Sequence, residues 1–124
     1  MQRVCETALE YFDLLVKTSA EGQFPAGVPD TRLCFYRMDN GRRCPVGLIL
    51  PDELYRPEFD MKGGNTAEQI AQRVGHDWLP NGTNVNDLNK IQSIHDSLTE
   101  WGWDHAQWVK SLTTEVRCFQ GFTP

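Results

Sequence analysis

Asn40-Gly41 stands between two runs rich in apolar and aromatic residues, and no other feature constrains this chain as tightly. Asn-Gly so flanked is the strongest short-range signal for a β-hairpin. A two-residue type I′ turn needs positive φ at both central positions, which Asn and Gly tolerate best. With that turn, Phe35 opposes Val46 and Leu33 opposes Leu48, giving one apolar face. Cys34, Tyr36, Met38, Arg43 and Pro45 fall on the other. A three-residue loop of Asp39, Asn40 and Gly41 with a bulge is the alternative, but it pairs Phe35 with Pro45, which cannot donate to the ladder.

The register has a chemical corollary. Side chains alternate faces along a strand, so a slip of one residue exchanges one strand's two faces. The two-residue turn puts Cys34 and Cys44 on opposite faces, where they neither bridge nor share a metal. The bulged loop makes them diagonal neighbours on one face, and either becomes possible.

Around the hairpin, 3.6-residue periodicity and capping residues predict helices over 3–19, 67–74, 87–101 and 105–119. Thr66-x-x-Gln69 reads as a capping box, Asp104-x-x-Gln107 as a helix start, and Gly22, Gly75 and Gly102 as stops. Residues 51–55 offer a short helical turn that Asp52 can cap. The fold class expected is α+β: one domain over 1–124, mostly helical, packed on a hairpin at 33–50 that can gain a third antiparallel strand.

A chain of 124 residues buries roughly two-thirds of its unfolded surface and folds without staples. A net charge of −5 argues against a sequence-independent binder of phosphate backbones, which needs a basic stripe. Nucleic acid is therefore not expected as a direct ligand. The first 17 residues carry a charge every three or four positions, so no signal peptide is expected. No stretch approaches the roughly 20 apolar residues of a membrane span. An intracellular location follows, in which Cys5, Cys34, Cys44 and Cys118 are expected as thiols.

Three elements carry a resemblance: Cys34-x-Tyr36-Arg37; Gly41-x-x-Cys44-x-Val46-Gly47 with Ile49-x-Pro51-Asp52-x-x-Tyr55-x-Pro57-Glu58; and Ile91-Gln92-Ser93-Ile94-His95-Asp96. Together they resemble a family of small uncharacterised proteins of tailed bacteriophages and prophages. That family's pattern is close to C-x-Y-R, then G-x-x-C-x-V-G-x-L-I-P-D-x-x-Y, then L-Q-x-x-H-D. The likeness runs from about Ala8 to Phe119. It departs where Leu-Ile-Pro reads Ile49-Leu50-Pro51, and where Asp60-Met61-Lys62-Gly63 replaces a Glu-Gly. The resemblance implies a compact viral protein in the host cytoplasm and supplies no activity. By analogy with small phage proteins, it suggests a partner that is a bacterial host protein or complex, including a host-defence system to be inhibited.

Candidate chemistry is sparse. Zinc would need Cys34, Cys44 and His95 with one of His76, His105 or Cys118, but no C-x-x-C or related spacing supports it, so neither metal nor cofactor is expected. Gln92 and Asp96 stand four apart and can pair on one helical face, with His95 beside them on the apolar seam. No nucleophile can be named for a base at His95, so binding is expected over catalysis. Candidate binding residues are Arg37, Arg42 and Arg43 near the turn, the acidic corner of Asp52, Glu53 and Glu58 with Tyr55, and Trp101 with Trp103. Trp and Arg anchor interfaces or a homodimer contact. The same residues leave a nucleotide stacked on Trp with Arg on its phosphate as the second reading, and a zinc-stabilised domain as the third.

Overall fold

A computed structural model describes residues 2–22, 43–60 and 66–123. The helices are α1 (Ala8–Ala20), α2 (Pro45–Ile49), α3 (Ala67–Val74), α4 (Val85–Trp101) and α5 (His105–Glu115), with 3₁₀ turns at Pro57–Asp60 and Arg117–Phe119. There is no strand among the described residues, only a single parallel bridge between Thr7 and Asn81. The expected α+β class is thus corrected to a helical one.

The correction falls on 45–49, expected as the second hairpin strand and found as α2. Pro45 occupies the first turn, where its fixed φ suits a helix and its missing N–H is not needed. Leu48 N–H then donates to Cys44 O at 3.0 Å. Pro51 limits the run, because a residue preceding proline is driven out of the helical region, and Leu50 is extended at φ −76°, ψ 115°. Val46, Gly47, Ile49 and Leu50 are all buried. A short apolar run buried on all sides carries no period by which to tell strand from helix. Residues 33–42, including the Asn40-Gly41 turn, lie outside the described residues.

The other elements follow their caps. Thr66 and Gln69 exchange both bonds of a capping box. Asn84 and Asp87 form a second one at the start of α4, two residues before the predicted helix start. Asp104 accepts from Gln107 N–H at 3.2 Å. The helix predicted from residue 3 starts at Ala8, because Thr7 caps it and the preceding residues serve as a strap. Ala8 N–H donates to Asn81 O, Asn81 N–H to Glu6 O, and the Arg3 guanidinium to Asp77 O and Asn81 Oδ1. Asp52 is the expected cap of a turn that closes instead on Pro51 O, which accepts from Leu54 and Tyr55.

In the core, α4 packs against α2, α3 and α5, and α1 against α5 and the 117–119 turn. Phe119 meets Tyr11 and Phe12 at centroid distances of 5.9 and 5.4 Å. None of the described helices is long and apolar enough to cross a membrane.

One buried charge ties the C-terminal turn to α4. Asp87 is 4% exposed, yet it accepts from Asn84 N–H and, at 2.6 Å, from Arg117 Nη2, which also reaches Gly82 O. Removing the cation leaves a buried carboxylate short of a partner. Arg117→Ala is therefore expected to cost about 1–3 kcal/mol, below the fully buried case because the guanidinium is largely exposed. Urea melts of the two proteins measure it; equal midpoints would refute the assignment.

Candidate functional site

Gly102 ends α4 at φ +111°, a conformation that a side chain would strain, and it turns the chain directly into α5. The corner so formed holds Trp101, Trp103, Asp104 and His105 within five residues, and brings Trp103 and His105 to the end of α1.

Trp103 turns inward. Its ring lies 5.1 Å from Trp108 and 5.5 Å from His95, centroid to centroid. Its Nε1–H donates to Ser19 Oγ at 3.1 Å, and His105 Nδ1 meets the same oxygen at 2.8 Å. Trp108, fully buried, donates from Nε1 to Leu15 O at 3.2 Å. Three aromatic or imidazole groups thereby hold the C-terminal half of α1, two through the Ser19 hydroxyl and one through Leu15 O.

A serine within hydrogen-bond reach of a histidine invites a catalytic reading. The surroundings oppose it. Ser19 is 5% exposed, and its oxygen already accepts from Trp103. It sits at the C-terminal end of α1, whose dipole is negative and would repel an oxyanion. The pair is a clamp between helices.

His95 is 1% exposed, on the inward face of α4. Its Nδ1 lies 3.3 Å from Asp96 Oδ1, which also accepts from Gln92 Nε2 at 3.2 Å. The four-residue pairing of Gln92 with Asp96 is thus present, with the His95 imidazole packed against Trp103 and Trp108.

The remaining candidates divide by place. Arg43 pairs with Asp52 at 3.5 Å and Glu58 with Arg73 at 3.5 Å, so the expected acidic corner is partly neutralised by its own cations. Tyr55 packs edge-on to Phe59 at 6.3 Å, and the Arg73 guanidinium lies 5.5 Å over the same ring. Glu53 is exposed. Arg37, Arg42 and Cys34 lie outside the described residues. Cys44 is buried at the cap of α2, and no three His, Cys, Asp or Glu side chains among the described residues are arranged to hold a metal ion.

Trp101 stands apart from its neighbours at 84% exposed. An indole left in water is unusual, since Trp is highly buried on average. Glu100 and Asp104, either side of it in the chain, are exposed as well. Trp103 and Trp108 are spent on the interior, so stacking on a free ligand falls to Trp101.

Sequence reasoning did not find the thiols around Tyr11. The Tyr11 hydroxyl donates to Pro45 O at 2.8 Å in the core. Burial raises its pKa well above the usual value, and Cys44, Cys5 and Cys118 add to the rise. Burial, then Glu10, pushes the Cys5 thiol up to about 11. Burial, then Asp87, pushes Cys118 up to about 12 against the pull of Arg117. These are inert thiols, since the thiolate is the reactive form. Cysteines dispersed from 5 to 118 give no spacing signal of such a cluster.

The chain matches no known protein family, no curated protein and no solved structure.

Proposed function

We propose that this chain is a small accessory protein of phage type that acts by binding a protein or complex of a bacterial host, a defence complex being the target class the motif likeness suggests. The observation that carries the binding reading is Trp101, the large exposed aromatic at the α4–α5 corner. Exposed Trp is costly in water and is enriched among the residues that dominate interfaces. The net charge of −5 favours a partner with a basic surface. The phage-type origin rests on the motif likeness at 34–58 and 91–96.

The test compares wild-type protein with Trp101→Ala as tagged baits in host lysate. Wild type is expected to retain one stoichiometric protein that the variant loses, typically at about a hundredfold weaker affinity for a central anchor. The variant's thermal midpoint should stay close to wild type, since an exposed side chain contributes within about 0.5 kcal/mol. Equal retention by both baits, or none by wild type, would remove the reading.

A further inference from the structure

We propose that Trp101, with Glu100 and Asp104 near it in the chain, is a docking site for an arginine-bearing basic segment of a protein partner. This rests on the binding reading above and adds the chemistry of the partner.

Two local preferences are broken at adjacent positions. Trp101 is 84% exposed. Glu100 stands in the last turn of α4, at the negative end of a 17-residue helix, and that turn carries no basic residue. The last turns of α1 and α3 carry Lys17 and Arg73, as the dipole prefers. Neither Glu100 nor Asp104 enters an ion pair among the described residues. From Ile91 to Val109 the sequence holds Asp96, Glu100 and Asp104 and no Lys or Arg. Asp104 is engaged as the cap of α5, so among the described residues the carboxylate without internal compensation at this corner is Glu100, next in the chain to an uncovered indole. An exposed indole and an unpaired carboxylate at a helix C-terminus both break local preference, and such breaks are where function is expected.

Arginine fits both halves of this arrangement. Its flat guanidinium stacks on an indole face, and its N–H fork donates to a carboxylate. Lysine offers a strongly hydrated point charge and stacks less well. A nucleic acid would bring its phosphates against the carboxylates. A second copy docked through the same patch would set like charges together.

The full chain labelled with ¹⁵N gives one indole resonance per Trp, and Trp101 is identified by its loss in Trp101→Phe. Titration with a hexa-arginine peptide is expected to shift the Trp101 resonance. A hexalysine peptide is expected to bind about tenfold more weakly. A similar loss is expected for Glu100→Gln combined with Asp104→Asn, which keeps the α5 cap because Asn caps as well as Asp. Unmoved indole signals on the rest of the protein show that the double variant is folded. The proposal is overturned if hexa-arginine leaves Trp101 unmoved or if hexalysine matches it. It is equally overturned if the double variant binds as wild type does, or if Trp101 shifts on dilution of the protein alone, the mark of a second copy. A host protein captured through Trp101 with no arginine response would sink this chemistry and leave the binding reading standing. An arginine response with no Trp101-dependent host partner would do the reverse.

Discussion

Trp108→Ala is expected to cost about 3–5 kcal/mol and to lower the thermal midpoint by roughly 10–20 °C. The side chain is fully buried and joins α5 to α1 through its bond to Leu15 O. It also supports Trp103 and His95 through ring contacts at 5.1 and 6.4 Å. Truncation leaves a cavity, and it frees the very side chain, Trp103, that reaches Ser19. Domains of this kind are stable by about 5–15 kcal/mol in all, so the loss removes a large share of the total. Trp108→Phe separates the causes: it keeps most of the packing and forfeits the Nε1 bond, for about 1–2 kcal/mol. Urea melts followed by circular dichroism measure all three. A loss below about 1 kcal/mol for the alanine variant would mean that the corner is not held as described. The contrast with Trp101→Ala, near-neutral in stability and disabling in binding, distinguishes two tryptophans seven residues apart.

The same pair shows what a sequence can and cannot carry. Capping residues act within four positions, so Thr66-x-x-Gln69 and Asp104-x-x-Gln107 locate α3 and α5 without any tertiary knowledge. The Gln92–Asp96 bond is legible for the same reason. Trp101, Trp103 and Trp108 are equally aromatic in the sequence, and only packing separates the exposed one from the buried ones. The clamp joining Ser19 to His105 spans 86 residues and leaves no local trace. Val46 to Leu50 failed for a different reason. The run is apolar throughout, so the strong turn signal at Asn40-Gly41 set its expected state, while Pro45 at the first helical turn set its observed one. A proline at the first helical turn outweighed composition.

Raising pH is expected to unfold the protein from within. In the unfolded chain a thiol ionises near 9.0 and a tyrosine near 10.0. In the fold Cys5 holds its proton to about 11, Cys118 to about 12, and Tyr11 is raised well above its usual value. Between pH 9 and 12 the unfolded state therefore binds fewer protons than the folded one, and stability must fall as pH rises. Below pH 9 the contribution is fully present and does not vary. For Cys5, which is 4% exposed, the loss completed above pH 11 is on the order of 2 kcal/mol. Urea midpoints at pH 8, 9, 10 and 11 should decline with a slope that steepens above about 10, where Tyr11 joins the thiols. Tyr11→Phe supplies the decisive comparison. It forfeits the hydroxyl's bond to Pro45 O, so it should be about 1 kcal/mol weaker at neutral pH. Having no proton to lose at that position, it should decline less steeply above pH 10, so that its deficit against wild type shrinks as the solution becomes more alkaline. A flat profile from pH 8 to 11, or parallel declines in the two proteins, would mean that the alkaline limit is set elsewhere than at the thiol-lined hydroxyl between α1 and α2.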